Sequence, residues 1–584
     1  MKILENKKGI ALVTVYIVIV VIMGVLAIFT SRSINDFRIA HREKDTLRAY
    51  YAAEAGLSTI GIDIYNAFKA SNEWASNKNS LAFRLWFGYP DSEPGWDAAQ
   101  RRARFISNYP GFPITGMIDN CQYTVILPSD TADPIVPTDD GVLVKLIAVG
   151  RAPHFGGTVT KVIARTIFYG MKPSPIFNYA YFINNYGWLW GGGITVNGDV
   201  RSNGNFSLNG NPRINGDIYA SENPDLGTVG TISGGNRNWD IPAYINHATN
   251  SMRPTNPTDP SNPSGTAYPA GYDGESERFQ YQEVLEMPYL GNLTTYKQLA
   301  QLKNGQIIQG GNIIVNNVYN GNGPDGVAGT PDDGSIVLIG TADNPIEING
   351  PVVADGDVII RGVVSGQGTI YAARNMHIIG DITYQNPPSW SHPDADPAST
   401  VILNSTADFI GLACKGNVII GDYTRNDWLN TCGNYLRPPF TQGYGTDTSD
   451  AVIGYDSDND PSNGYWFNGD YTVPDGGNKD NGEGSLIDRR YYESSLSNDI
   501  ISSIASPSNQ IRNIDGIIYT NHAFAGRVGS FTINGTIVAR DEAIIYSGNI
   551  DMNYDIRAHG DGIENTDIYL PRDLSLPENK VLQS

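Results

Sequence analysis

Cysteine is scarce in this chain of 584 residues, and three thiols cannot build a dense disulfide framework. Basic residues are also few. Forty Lys and Arg stand against 61 Asp and Glu, and the net charge of −21 argues against nucleic-acid binding, which needs clustered Lys and Arg to neutralise phosphates. Catalytic signatures are missing too: there is no H-E-x-x-H helix, no Walker A loop and no G-x-S-x-G elbow, and the seven histidines are scattered. Collagen, coiled coil and wholesale disorder fail on composition. What abounds is Gly (64) and Tyr (33), and Gly mixed with Asn and Asp marks a turn-dense, strand-rich chain. The length allows about three to five structural units with ample core.

Met1–Gly9 is short and basic, with Lys2, Lys7 and Lys8 set against Glu5. An uncharged run then extends from Ile10 to Phe29, long enough as a helix to cross about 30 Å of hydrocarbon. Its β-branched residues disfavour helix in water, but in lipid the backbone must satisfy itself internally, so helix is expected. No small-residue cleavage site of the A-x-A type follows Phe29, which separates this run from a secretory signal. Leu47, Tyr50, Tyr51, Leu57, Ile60, Ile64 and Phe68 recur at helical spacing, so the helix is expected to continue to about residue 70.

Lys7-Lys8-Gly9 followed directly by Ile10-Ala-Leu-Val-Thr14 resembles the processing site of type IV pilin-like proteins, and Ala49-Tyr-Tyr-Ala-Ala-Glu-Ala-Gly-Leu57 resembles the helix signature of PilX-like minor pilins. The resemblance covers about the first 60 residues. It implies cleavage between Gly9 and Ile10 by a prepilin peptidase, and assembly with other pilins or pseudopilins on an inner-membrane platform. Major pilins usually carry a glutamate at the fifth mature position, where Thr14 stands here. A carboxylate in lipid is costly unless paired. Its absence therefore points to a minor, tip-proximal subunit of a type IV pilus or a type II secretion pseudopilus. Glu54, set among alanines, is a candidate for a pair across subunits; the plainer reading is a solvated or locally capped charge. Positive charges flank both ends of the span, so export of the C-terminal part rests on the resemblance.

The organisation expected is a leader (1–9), an extended membrane helix (10–70), a pilin-like α+β unit (71–172) and a β-rich region (173–584). In the α+β unit a short helix near Ala98–Ser107 precedes strands at Cys121–Leu127, Val142–Gly150 and Thr158–Phe168. Beyond residue 173 a phrase recurs: Ile194-Thr-Val-Asn-Gly-Asp-Val200, Ile214-Asn-Gly-Asp-Ile218, Asp355-Gly-Asp-Val-Ile-Ile360, Ile379-Gly-Asp-Ile-Thr383, Ile514-Asp-Gly-Ile-Ile518 and Ile533-Asn-Gly-Thr-Ile537. The first two lie 18 residues apart and the 355/380 pair about 24. Short apolar runs at such spacing, punctuated by Asn-Gly and Asp-Gly corners, suggest a right-handed parallel β-helix, with a β-sandwich as the alternative. Insertions fall at about 221–310, with Glu275–Leu302 expected helical, and at 422–500. The second concentrates Trp428, Tyr435, Phe440, Tyr444, Tyr455, Tyr465, Trp466, Phe467, Tyr491 and Tyr492, a set suited to a surface glycan or protein ligand, or to a small core.

For metals, Asp325, Asp332 and Asp333 on a Gly-rich loop are weak Ca²⁺ candidates. Asp456-Ser-Asp-Asn-Asp460 opens like an EF-hand loop but has Pro461 and Phe467 where Gly and Glu belong. Cys414 and Cys432 could close a disulfide, and His377 reads as a satisfied structural residue. The function expected is a non-enzymatic, single-pass membrane protein without a cofactor, displaying its β-rich part at the cell surface for adhesion or cargo contact. Two alternatives stand beside it: a membrane-tethered polysaccharide enzyme, and an anchored surface module outside any pilus.

Overall fold

The computed structural model describes residues 6–77, 80–88, 98–128, 134–138, 141–154, 157–224, 226–239, 273–274, 276–288, 290, 293–330, 332–389, 401–432, 496–507, 510–540, 542–559, 566 and 568–580. An N-terminal apolar helix is followed by a mainly β chain, and the chain divides into two compact units. One comprises residues 1–172 and 574–584, the other 173–573. The division falls between residues 172 and 173, and residues 574–584 group with the first unit.

In the first unit, α1 (Asn6–Lys69) runs without a break from the apolar segment onto a sheet. The short helices α2 (Asn72–Asn77), α3 (Ser80–Phe87) and α4 (Ala98–Asn108) follow. Strands β1 (Ile114–Ile118), β2 (Cys121–Ile126), β3 (Ile135–Thr138), β4 (Gly141–His154) and β5 (Gly157–Pro173) form an antiparallel sheet in which β1, β2, β4 and β5 are successive neighbours and β3 also pairs with β4. The C-terminal strand Glu578–Lys580 adds to β5 antiparallel, with Glu578 opposite Phe168. Alternation along β4 sends Val144, Leu146, Ala148 and Ala152 inward to meet Ala49, Ala53, Leu57, Ile60 and Ile64 of α1. Small residues make this approach close: a Cβ on Gly150 would lie 1.9 Å from the Ala49 carbonyl oxygen, and one on Gly56 2.6 Å from the Tyr123 ring. The alanines of the 49–57 signature are therefore a packing surface. At the far end of α1, Phe68, Trp74, Phe83, Trp86, Phe87 and Phe105 close the core with ring centroids 4.6–6.3 Å apart.

The second unit is a stack of short strands paired in parallel. Partners sit 18 to 22 residues apart where no insertion intervenes: Val200 opposite Ile218, Ile336 opposite Val358, Val358 opposite Met376, and Ile518 opposite Ile537. We call each circuit of strands a tier. The spacing of 18 between the first two phrases matches the ladder, with Val196 opposite Ile214. Parallel ladders dominate here, unlike the antiparallel sheets of a sandwich. Two local expectations need correcting. The phrases at 355 and 379 are not equivalent: Ile359 pairs with His377, so Asp355-Gly-Asp357 forms a corner, while Ile379–Thr383 lies inside the strand Met376–Tyr384. Residues 275–302 are not one helix either. Arg278–Gln282 is a strand, and only Thr294–Lys303 (α5) is helical, because the apolar residues between them reach into the core as an extended strap.

Chain order and stacking order differ. The first tier (Tyr181–Ile183 and Ile194–Asn197) carries Val200–Ser202 and Ile218–Asn223 on one side, ending at Arg278–Gln282. Residues 283–288, 290 and 293–303 then run back along the later tiers. Asn203 donates to the Leu285 carbonyl, Arg540 and Tyr519 to that of Pro288, and the Leu290 amide donates to Asn521; Tyr296 packs on Tyr371, and Lys297 pairs with Asp355. Gln306–Gln309 and Asn312–Asn316 form an antiparallel hairpin whose first strand also pairs antiparallel with Ile346–Ala354; from Ile336 the chain climbs again, tier on tier, until Phe531–Ala539 and Ile550–Tyr554 arrive against the first tier. A buried asparagine ladder crosses that junction. Asn215 donates to Asn197 (2.7 Å), Asn197 to Asn553 (2.7 Å), Asn553 to Asn534 (2.9 Å) and Asn534 to Asp515 (2.7 Å). Every donor points the same way, so the bonds polarise one another toward the Asp515 carboxylate.

Candidate membrane and assembly site

The candidate membrane-spanning element is the first part of α1. Residues 11–29 touch no core: Leu12 is 73 % exposed, Tyr16 72 % and Ile19 48 %. This is the one helix among the described residues that is long and apolar enough to cross a membrane. In water such a bare sleeve would be an aggregation hazard; in lipid it needs no cover. Thr14 is an exposed side chain on this sleeve, and Gly9 and Ile10 fall in the first turns of the helical backbone. Residues 1–5 of the leader lie outside the described residues.

Where α1 meets the sheet, two ion pairs fix it. Asp45, only 7 % exposed, accepts from Arg48 (3.2 Å) and faces His154 Nδ1 at 2.9 Å, while Arg48 also donates to the Asp119 carbonyl (2.9 Å). The His154 hydrogen bond and then Arg48 hold the Asp45 carboxyl below its ordinary value against the opposing pull of burial. Glu54 pairs with Arg165 of β5. The expectation of a pair across subunits, or of a free charge, therefore gives way to an intramolecular pair. Its partner lies 111 residues away and has no local sequence signal.

The candidates of the second unit are not brought together. Asp325, Asp332 and Asp333 do share one loop, but they are engaged within it. Asp332 accepts from the Asp325 amide (3.1 Å), Asp325 from the Val327 amide (2.7 Å) and Asp333 from the Gly329 amide (2.7 Å). Among the described residues no group of three or more His, Cys, Asp and Glu side chains is placed to hold a metal ion. Cys414 and Cys432 are not bridged. Both are buried free thiols in different core clusters, and burial pushes each up to about 12. Cys121 is likewise free and buried. Of the aromatic insertion, Trp428 is fully buried with its indole donating to the Ile420 carbonyl (2.9 Å), so this member serves a core. Tyr435, Phe440, Tyr444, Tyr455, Tyr465, Trp466, Phe467, Tyr491, Tyr492 and the Asp456–Asp460 loop lie outside the described residues.

Sequence reading missed two polar groups. Asp199 and Asp217 sit on neighbouring tiers, where the Asp199 carboxylate accepts the Asp217 amide (2.9 Å) and burial raises Asp199 to about 6. Arg201 lies beside them against the Tyr179 and Tyr219 rings, at 5.6 and 5.8 Å. The Asn-Gly-Asp phrase was the available signal. His377 is not the satisfied residue expected. It is fully buried, neither ring nitrogen has a hydrogen-bond partner, its nearest carboxylate is Asp357 at 4.0 Å, and burial lowers it to about 4.

No family model, curated protein or solved structure matches the chain.

Proposed function

We propose that the protein is a minor pilin or pseudopilin of the PilX-like kind, processed between Gly9 and Ile10 and assembled at or near a fibre tip. The observation that carries this reading is α1 itself: one unbroken helix of 64 residues, bare and apolar at its start, then seated through Ala49, Ala53 and Gly56 on an antiparallel sheet. Such a helix can lie in lipid before assembly and among other apolar helices afterwards. Thr14 supplies no charge to draw in a following subunit, which suits a terminal position. The second unit is, on this reading, a right-handed parallel β-helix displayed outside the membrane, whose role is adhesion or cargo contact rather than catalysis. The partners are the prepilin peptidase, other pilin-like subunits and the assembly platform.

The test is the N-terminal residue of the membrane-extracted protein, with and without the host's prepilin peptidase. A start at Ile10 that requires the peptidase is expected. An intact leader in both strains sinks the reading. A membrane-tethered polysaccharide enzyme is the second reading, drawn from the neighbouring Asp199 and Asp217; it requires saturable turnover that Asp199→Asn abolishes.

A further inference from the structure

The first tier of the second unit has nothing earlier in the chain to rest on. Only residues 173–180 precede it within the unit, and its supporting side is supplied by the last tier. Ile537, Val538 and Ala539 pair with Tyr181, Phe182 and Ile183, while Ile550–Asn553 pair with Ile194–Asn197. The polar contacts at this seam span comparable distances in sequence. Asn197 donates to Asn553 across 356 residues, Tyr554 donates to the Phe177 carbonyl across 377, and the Ile537 amide reaches the Ala180 carbonyl at 3.0 Å. The return strap repeats the dependence, since Met287 and Pro288 accept from Arg540, and the Leu290 amide donates to Asn521.

We infer that the second unit folds from its C-terminal part, and that the early strands 181–223, 228–239 and 278–282, with the return strap that follows them, acquire stable structure only once the strands 531–539 and 550–554 are in place. A stack of short strands is stable through its neighbours, and too few tiers cannot bury a shared core. The early tiers, 181–239 within the described residues and 278–282, are few and end on one side at the seam. By contrast, Ile336–Tyr554 is a longer run whose own tiers support one another: 336–354 on 358–372, 367–372 on 409–414, 411–414 on 517–520, and 513–520 on 532–539. The polarised ladder fits this order, because Asp515, its charged terminus, belongs to the late part and Asn215, its last donor, to the early part. A chain made from its N-terminus thus holds its first tiers open until residues 531–554 have been made.

Hydrogen exchange with mass spectrometry on the full chain in detergent micelles tests this through two substitutions of fully buried residues, Ile537→Ala in the last tier and Val200→Ala in the second. Ile537→Ala is expected to speed exchange by at least about ten-fold in both 531–554 and 181–223. Val200→Ala is expected to do so in 181–223 and 278–282 while 358–420 and 513–554 keep their protection. Pulse labelling during refolding of the unsubstituted chain should protect 358–420 first and 181–214 after 531–554. Early tiers that stay protected in Ile537→Ala, opening that spreads from Val200→Ala through the late tiers, or protection of 181–214 before or together with 531–554 would each overturn the inference.

Discussion

Arg557 offers the sharpest energetic test. It is fully buried, and its guanidinium is fully engaged: Nε contacts Asp555 (3.1 and 3.2 Å), Nη1 donates to the Asn404 and Ala407 carbonyls (3.2 and 3.1 Å), and Nη2 donates to the Asp408 carbonyl (3.0 Å) and Asp555 (2.7 Å). The Phe409 ring lies 4.3 Å from the guanidinium carbon. Arg557→Met fills much of the same volume but leaves a fully buried carboxylate without its cation and takes one donor from each of three carbonyls, of which Asn404 keeps the Ala407 amide and Ala407 keeps Gln367. Breaking a buried pair by removing one partner costs about 3–5 kcal/mol. With a urea m-value of about 3 kcal/mol/M, the transition should move down by about 1–1.7 M, read by the loss of β-sheet circular dichroism. Arg557→Lys should recover little, since three donors on a point charge cannot replace a planar fork of five. The double substitution Asp555→Asn/Arg557→Met should be less damaging than Arg557→Met alone, because the unpaired charge is gone. A loss below about 1 kcal/mol for Arg557→Met would refute the reasoning.

Three further outcomes follow from the packing and the charges. Gly150→Val should destabilise the first unit by about 3 kcal/mol in thermal melts, because the atom it meets is helix backbone at Ala49 and cannot swing away. Two carboxylates should show opposite pH signatures in the denaturation midpoint. The lowered Asp45 contributes stability above its ordinary 3.8 that is lost as pH falls through its folded value, and Asp45→Asn should flatten this acid limb. Asp199, raised to about 6, loses stability as pH climbs from about 4 to 6; Asp199→Asn should therefore gain up to about 3 kcal/mol at pH 7 and nothing below pH 4. Cys121, Cys414 and Cys432 should resist a water-soluble thiol reagent in the native chain and react after denaturation, and reductant should leave the melting temperature unchanged. A native shift with reductant would restore a disulfide.

Local patterns were legible where the chain's neighbours in space are its neighbours in sequence. The apolar run, the helix at 98–108, strands β2, β4 and β5 and the 18-residue spacing at 196/214 all belong to this class. Illegibility began with distance. Nothing near Glu54 announces Arg165, nothing in Asn197 announces Asn553, and the C-terminal strand carries no mark of a return to β5. Residues 283–293 misled for another reason: Leu285 and Leu290 recur at intervals open to a helix, but the strap uses them as extended anchors into a stack that is finished by residues far downstream. The repeated Gly-Asp phrase is likewise ambiguous. The same two residues make a corner at 356 and a strand interior at 380, and only the pairing partners decide which.

The return of Glu578–Lys580 to β5 changes what kind of object the second unit is. Residues 173–573 leave one strand of the small sheet and come back to its neighbour, and the Ser174 amide bonds the Pro571 carbonyl at 3.3 Å where the outgoing and returning chains run together. Topologically, the whole parallel stack is a loop of the helix-bearing unit, grown to a domain's size between two points that a tight turn could span. A chain that joined Lys172 to Leu574 would keep β1 to β5 and the strand Glu578–Lys580. The stack is a cassette with one doorway: the chain leaves the sheet from β5 and rejoins it beside β5.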